Sequence, residues 1–230
     1  MEQKVEYITA KDAWFEYESG GFMLSPISIS LHTGEVTFLV GENGGGKSTF
    51  AKLMCGILKP SGGTVLLSGT DTKKMSLGEV GSRVGYLWQN TQLQLFAQMV
   101  IEDMTFIDKI SGGDMEKARG KAREWLSFFN LADKEDSMIY TLSGGERQRL
   151  ALAVSLMNGA KYFILDEPTK GLDEHNREVV IQFLEKTCDK NDVGMLIISH
   201  DEDFCQRFAG RVITVEKGEV TDDTRRRKGN

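Results

Sequence analysis

The 230-residue sequence has little of what membrane spans, disulfide frameworks and nucleic-acid binding require. No apolar run approaches the about 18 residues that cross a bilayer, and the opening residues MEQKVEYITA do not form a signal peptide. The three cysteines lie far apart and form no C-x-x-C pair, which favours reduced thiols. A net charge of −6 disfavours a nucleic-acid partner. We therefore expect a soluble cytosolic protein that binds no nucleic acid.

Proline is also scarce, with three residues, and no low-complexity linker or internal repeat interrupts the chain. A chain of this length with 40% hydrophobic residues fits one globular unit, or one core with an inserted subdomain.

A glycine-rich motif stands between two regular segments near the start. Residues 41–49 read GENGGGKST and fill the phosphate-loop pattern G-x-x-x-x-G-K-[ST]. A strand-like stretch at 35–40 precedes the motif and a helix-like stretch at 49–55 follows it. Glycines let backbone N–H groups close on phosphate oxygens, and the helix N-terminus adds partial positive charge. We predict that Lys47 reaches the β- and γ-phosphates of a nucleoside triphosphate and that Ser48 ligates Mg²⁺.

Polar residues follow three other predicted strands directly. Gln89 follows 84–88, Asp166 and Glu167 follow the apolar run 162–165, and His200 follows 193–199. In open α/β sheets, functional groups gather at the carboxyl ends of the strands. One carboxylate can hold Mg²⁺ through water while its neighbour orients or deprotonates an attacking water. Taken singly, Gln89 also fits a polar loop residue and His200 a structural histidine.

Two further signals have alternative interpretations when each stands alone. Residues 5–40 predict several short strands, at 5–9, 13–17, 27–31 and 35–40. Tyr17 ends an aromatic cluster that fits either an adenine-stacking ring or packing in the sheet. Ser143 begins a predicted helix and Glu146 stands three residues later, as a capping box requires. The segment Ser-Gly-Gly also fits a helix N-terminus left bare for an anion.

The stretch between Gln89 and this second glycine motif is mainly helical in pattern, with helices predicted at 102–109 and 115–130. Several large apolar residues cluster at its start, which a solvated loop would not carry, so the helical region or another protein must bury them. They are Leu93, Leu95, Phe96, Met99 and Val100. At the other end of the chain, the basic run 224–228 predicts a solvated, disordered tail, with anionic lipid as an alternative contact.

Taken together and in order, these motifs resemble the complete set of an ABC-type ATPase. The resemblance implies an α/β P-loop NTPase (RecA-like) fold with a parallel-sheet core, an N-terminal antiparallel β subdomain and an inserted α-helical signature subdomain. The core would comprise residues 1–89 and 159–230, and the helical subdomain residues 90–158, within one domain. ATP and Mg²⁺ are the implied ligands.

The resemblance also implies a role for each motif residue. Lys47, Gln89, Glu167 and His200 look catalytic, and Ser48, Gln89 and Asp166 look like the magnesium set. Ser143, Gly144, Gly145, Glu146 and Asp173 would contact a nucleotide held by a second subunit. The nucleotide-binding residues would be Tyr17, Gly41, Glu42, Asn43, Gly44, Gly45, Gly46, Lys47, Ser48 and Thr49.

A narrower resemblance is to the energy-coupling factor (ECF) ATPases, including the cobalt–nickel group, which power vitamin and metal uptake. It rests on Gln89-Asn90 followed by 94–97 (QLFA) and 100–103 (VIED). Lys170 departs from the family pattern, because small residues are usual there. The implied partners are a second cassette, identical or paralogous, and a transmembrane subunit at the cytoplasmic face of the membrane. The alternatives are a soluble ABC ATPase of DNA repair, ribosome function or iron–sulfur assembly, and a nucleotide-dependent scaffold without useful turnover.

Overall fold

The computed structural model describes residues 5–18, 20–188 and 192–226. Ten strands form two sheets: a four-stranded antiparallel sheet and a six-stranded, mainly parallel sheet. The strands are β1 (Glu6–Glu16), β2 (Met23–His32), β3 (Val36–Val40), β4 (Gly62–Leu67), β5 (Thr70–Asp71), β6 (Val84–Leu87), β7 (Tyr162–Asp166), β8 (Gly194–Ile198), β9 (Gly210–Glu216) and β10 (Glu219–Arg226).

The larger sheet has the strand order β10-β9-β3-β8-β7-β6. Every residue of β7 and β8 is buried, as the continuous apolar runs of these segments predict for strands covered on both faces. Alternate residues of these strands enter two different cores: Phe163 and Leu165 face one, and Tyr162 and Ile164 the other. The sheet therefore stands between two hydrophobic layers, and the carboxyl ends of its parallel strands meet at one edge.

Eight helices complete the described part of the chain. Most of those between β6 and β7 cover one face of the sheet, and α1 lies on the other face with the antiparallel sheet. The helices are α1 (Lys47–Met54), α2 (Leu77–Gly81), α3 (Val100–Met104), α4 (Phe106–Ser111), α5 (Met115–Phe128), α6 (Gly144–Met157), α7 (Glu174–Cys188) and α8 (Glu202–Gln206). Within the described residues, no helix combines the length and apolar character that crossing a membrane requires.

The α/β class with a parallel core and an N-terminal antiparallel sheet is confirmed, but the antiparallel sheet is built differently from the expectation. The first two predicted strands are one strand, β1, which continues through Asp12 at a φ of 45°. Both neighbours of β1 are paired to it, so the ladder survives the irregularity at Asp12. Strands β4 and β5, which come after α1, also join this sheet.

The basic run near the end is only partly a tail, contrary to expectation. Thr224 and Arg225 lie in β10, opposite Val212 and Arg211 of β9. The Arg225 guanidinium lies 3.3 Å from the buried carboxylate of Glu35, so charge pairing favours the strand over a free tail. Residues 227–228 of this run lie outside the described part of the chain. We propose the division into core and helical subdomain at the boundaries expected from the sequence.

Candidate functional site

The phosphate loop joins β3 to α1 and is held in a conformation that its glycines permit. Gly41 and Gly46 have φ values of 136° and 109°, which side chains with a Cβ rarely adopt. A Cβ on Gly41 would lie 2.0 Å from the Val215 carbonyl oxygen, because the loop rests on the β9–β10 hairpin. Gly218 of that hairpin donates its N–H to the Gly45 carbonyl at 2.9 Å. The flanking elements β3 and α1 and the β9–β10 hairpin therefore all hold the phosphate loop in place.

The start of α1 offers free donors to an anion. Among the described side chains none caps this helix, and its first turn carries no acidic residue. Uncapped N–H groups at a helix N-terminus bind phosphate oxygens well. Lys47 lies beside them, and its Nζ donates to the carbonyl oxygens of Gly41 and Glu42, both at 2.8 Å. Burial lowers the pKa of Lys47, while the Asp166 and Glu167 carboxylates oppose that shift.

The polar residues at the strand ends converge on the same cleft. It has a volume of about 380 Å³ and brings together most residues predicted from the sequence. The Ser48 hydroxyl donates to Asp166 Oδ2 at 3.0 Å, and His200 Nε2 lies 3.7 Å from Glu167 Oε1. The predicted residues that line it are Tyr17, Asn43, Gly44, Gly46, Lys47, Ser48, Thr49, Gln89, Asp166, Glu167 and His200.

The two neighbouring carboxylates have different surroundings. Burial raises the pKa of Asp166, against the hydrogen bond from Ser48 and the charges of Lys52, Lys47 and Lys170. Burial also raises the pKa of Glu167, and the Asp166 carboxylate adds to the shift while His200 and Lys170 oppose it. A carboxylate with a raised pKa is a better proton acceptor, as general-base catalysis requires.

The backbone at Glu167 is unusual and firmly held. Its φ is 55°, in the left-handed region that a residue with a side chain seldom occupies. Its N–H donates to the Ile198 carbonyl at 2.9 Å, which binds it to the end of β8. Gln148 Nε2 of α6 donates to the carbonyl oxygens of Glu167 at 3.0 Å and Pro168 at 3.3 Å. These bonds aim the Glu167 side chain into the cleft beside His200.

An aromatic wall closes the cleft beside α1. Tyr17 lies within 3.3 Å of Thr49, hydroxyl to hydroxyl, and its ring packs edge-on against Phe15. Phe22 also lines the cleft, and a Cβ on Gly46 would lie 2.6 Å from its ring. Sequence reasoning missed Phe22, because its place beside Gly46 depends on the course of the chain after the turn at Gly20 and Gly21.

The second glycine motif does not line this cleft, and neither do Gly41, Glu42 and Gly45. Gly41 and Gly45 lie against the Val215 carbonyl, and Glu42 is exposed. Among the described residues, none of 142–146 lines the cleft. Ser143 and Glu146 form the expected capping box at the start of α6, with the Ser143 hydroxyl accepting from the Glu146 N–H at 3.2 Å. Asp173 accepts from the Asn176 N–H at 2.9 Å, just before α7. Gly144 lines a neighbouring cleft with Gln89 and Lys170.

The cleft suits a magnesium ion bound together with phosphates. Ser48 and Asp166 are already within hydrogen-bond distance, and Gln89 lines the same space with an amide oxygen. Mg²⁺ prefers such hard oxygen ligands and usually takes only one or two carboxylates plus substrate phosphates and water. Within the described ranges no group of three or more His, Cys, Asp or Glu could form an all-protein cage. The donor set therefore fits a nucleotide-bound magnesium.

Comparison with protein families matches residues 24–170 to the family described as ABC transporter. The chain belongs to this family. An ABC transporter ATP-binding protein of Pyrococcus horikoshii is 35% identical over 93% of this chain and 81% of its own length. The energy-coupling factor transporter ATP-binding protein EcfA2 of Ligilactobacillus salivarius is 30% identical, over 94% of this chain and 78% of its own length.

Solved structures of ABC proteins share the whole fold. CbiO1 of Clostridium perfringens, described as part of the ABC transporter complex CbiONQ, has a TM-score of 0.81 and 27% identity, covering 95% of this chain and 88% of its own. The ATP-binding cassette MJ0796, a dimer bound to ADP and phosphate in a post-hydrolysis state, has a TM-score of 0.85 and 25% identity, covering 96% and 99%. The predictions of an ABC-type ATPase and of a P-loop fold are confirmed. The roles of the individual site residues stay predictions.

Proposed function

We propose that this ABC ATPase is the ATP-hydrolysing subunit of a membrane importer of the energy-coupling factor type, which takes up a vitamin or a metal ion. The observation that carries the proposal is an exposed apolar surface directly after Gln89. Leu93 and Phe96 are 73% and 61% exposed there. The relatives EcfA2 and CbiO1 support the proposal, since both are described as components of transporters.

We assign the residues of the cleft to the steps of ATP hydrolysis as follows. The free N–H groups of α1 and the Lys47 ammonium bind the β- and γ-phosphates, and the Tyr17 ring stacks on the base. Glu167 accepts a proton from the attacking water, and His200 holds the γ-phosphate in place. Ser48, Gln89 and Asp166 would hold Mg²⁺, which supplies charge neutralisation at the β- and γ-phosphates.

A second cassette completes each site. The signature residues 143–146 do not line the cleft of their own chain. We assign Ser143, Gly144, Gly145, Glu146 and Asp173 to the nucleotide of a head-to-tail partner, identical or paralogous. The dimeric MJ0796 cassette supports this arrangement. Hydrolysis removes the γ-phosphate that both halves contact, and the halves part.

The exposed surface adjoins a groove fitted to a helix of a transmembrane subunit. Phe96 packs edge-on against Phe106 with ring centroids 4.6 Å apart. This contact holds the Phe96 ring at the surface. The groove beside it is mainly apolar and includes Leu95, Ala97, Ile139 and Tyr140. Tyr140 is 77% exposed. An amphipathic helix placed in such a groove buries apolar surface that otherwise contacts water.

A buried carboxylate lies close to the exposed surface. Asp103 of α3 is 3% exposed, and neither of its carboxylate oxygens accepts a hydrogen bond from the described residues. Burial raises the pKa of Asp103 to about 6. The sequence predicted that the helical region or another protein buries this apolar stretch. Leu95 and Val100 are buried within the chain, Met99 is half-buried, and Leu93 and Phe96 are exposed, which is the part we propose for a partner.

The test is Phe96→Asp in cells and in membranes solubilised with detergent. Because Phe96 is largely exposed, we expect the isolated variant to fold with unchanged nucleotide affinity. Burial of one such side chain contributes about 1.5–3 kcal/mol, so membrane association falls about tenfold or more and uptake is lost. Leu77→Asp is the matched control, because Leu77 is 64% exposed on α2, away from the groove.

Two results would contradict the importer. If Phe96→Asp unfolds the isolated chain, the apolar stretch after Gln89 belongs to the hydrophobic core. Phe96→Asp that folds and leaves membrane association and uptake at the wild-type level would favour the soluble ABC ATPase. The proteins that copurify with the wild type then identify its partner class.

A further inference from the structure

The side chain of Gln94 bonds two segments that are distant in sequence, the end of β6 and helix α6. Its Oε1 accepts from the Trp88 N–H at 3.1 Å, at the end of β6 and next to Gln89. Its Nε2 donates to the Ala151 carbonyl and to Ser155 Oγ, both at 2.9 Å, on the buried side of α6. The Ser155 hydroxyl lies within donating distance of two carbonyl oxygens, Tyr86 at 3.1 Å and Ala151 at 2.8 Å. The side-chain amide of Gln94 therefore connects the backbone just before Gln89 to the middle of α6, the helix that begins with the signature residues.

The backbone reinforces this connection further along the same segment. The Val100 N–H donates to the Ser137 carbonyl at 3.0 Å, and the Ile139 N–H donates to the Gln98 carbonyl at 2.9 Å. The segment that presents Phe96 is thus paired with residues just before Ser143. Residues 94–100 therefore contact the middle of α6 through Gln94, and the segment before the signature residues through backbone pairing.

The same helix also bonds the backbone at Glu167, through the side-chain amide of Gln148. Gln148 is buried on α6, and its Nε2 holds the carbonyl oxygens of Glu167 and Pro168. Glu167 keeps a left-handed φ at that point, so a shift of the supporting donor changes where its carboxylate points. The helix therefore contacts the Gln89 segment on one side and the backbone of Glu167 on another.

We propose that Gln94 is a positioning residue that couples the segment after Gln89 to α6, and through Gln148 to Glu167. Gln94 itself lies outside the lining of the nucleotide cleft. A helix moves as a unit, and part-buried hydrogen bonds resist separation, so a displacement at either end is transmitted. The proposal rests on the roles proposed above for Gln89 and Glu167, but it does not depend on a transmembrane partner.

The test compares three variants of the purified chain at low concentration. Gln94→Met keeps the length of the side chain and removes all three hydrogen bonds. Gln94→Glu keeps the acceptor for the Trp88 N–H but removes the donor to α6. Gln182→Met is the control, because Gln182 lies exposed on α7 and bonds only Glu178 among the described residues. Amide hydrogen exchange is measured in α1 and in 150–157, with and without a non-hydrolysable ATP analogue and Mg²⁺, together with nucleotide affinity and thermal unfolding.

We expect the wild type and Gln182→Met to change exchange in both segments when the analogue binds. In Gln94→Met and Gln94→Glu the affinity and the α1 response are retained, whereas the response of 150–157 falls by about threefold or more. If exchange in 150–157 responds fully in Gln94→Met, packing alone couples the two segments. If it responds fully in Gln94→Glu, the hydrogen bonds from Gln94 to α6 contribute nothing to the coupling. A wild type without a response in 150–157, or loss of folding in both Gln94 variants, would also overturn the proposal. Failure of the importer would show only in the Phe96→Asp experiment.

Discussion

At the scale of single residues, Asp166 and Glu167 are adjacent carboxylates with different partners. Asp166 ends the buried strand β7 and accepts a hydrogen bond from Ser48 of the phosphate loop. Glu167 stands one residue later at a left-handed φ, and its carboxylate lies 3.7 Å from His200. These partners suit the roles we propose, Asp166 as a ligand of Mg²⁺ and Glu167 as the acceptor of a proton from the attacking water.

The first prediction concerns Glu167→Gln. The amide keeps the size of the side chain but cannot accept the proton of water, so we expect ATP binding to persist and hydrolysis to fall by about 10²–10⁴. Without hydrolysis the γ-phosphate stays, and the ATP-bound dimer should accumulate on a sizing column. The matched control is Glu124→Gln, on the exposed side of α5. Turnover of Glu167→Gln within about twofold of the wild type would reject Glu167 as the general base.

At the scale of elements, α6 combines a capped start with a body buried almost all round. Its capping box satisfies the N–H groups of Ser143 and Glu146, and from Gln148 onward nearly every residue is buried. A helix held this way cannot tilt independently of the segments around it. Its exposed first turn is therefore presented at a defined place on the surface, which a contact across a dimer interface requires.

The second prediction uses this start in two forms. Ser143→Asp keeps an N-cap acceptor but repels phosphate. Ser143→Arg puts a bulky side chain where the partner's phosphate would lie and loses the cap, at a cost of about 0.5–2 kcal/mol. Because we assign the signature to the partner's nucleotide, both variants should lose ATPase activity and keep the affinity of the dilute monomer. Only Ser143→Arg should show a lower free energy of unfolding in urea. A large loss of monomer affinity in Ser143→Asp would place Ser143 in its own site and contradict the dimer.

At the scale of the whole molecule, the phosphate loop depends on both hydrophobic layers. Strand β3 sends Phe38 into the core under α6 and Leu39 into the core under the antiparallel sheet. The loop then rests on the β9–β10 hairpin, whose Gly218 carbonyl accepts from the Ser25 N–H of β2 at 2.8 Å. Unfolding of either layer removes the loop, so a bound nucleotide stabilises the chain as a whole.

The third prediction follows from this dependence. ADP at about 100 times its Kd should stabilise the folded chain by about 2.7 kcal/mol, because the unfolded chain has no phosphate loop. For a chain of this length the Tm should rise by about 5–10 °C in differential scanning calorimetry. Lys47→Ala should abolish the rise at the same ADP concentration, and the exposed Lys161→Ala should retain it. An unchanged Tm of the wild type at saturating ADP would contradict a phosphate loop supported by both hydrophobic layers.

Sequence alone determined the motifs whose meaning is local. The phosphate loop, the capping box at Ser143 and the polar residues after β6, β7 and β8 could be predicted, because glycine spacing, cap chemistry and strand ends act over a few residues. Parallel strands also end at a common edge, so the meeting of Gln89, Asp166, Glu167 and His200 in one cleft was foreseeable.

Only the tertiary structure decided the contacts between segments distant in sequence. It joined the two predicted strands before Tyr17 into β1, because pairing on both sides carries the ladder through Asp12. It placed Phe22 beside Gly46 and Gln94 against α6, and it left Phe96 exposed while burying Leu95. These contacts depend on which surfaces pack together when the two hydrophobic layers form on the sheet, and no local sequence pattern specifies that packing.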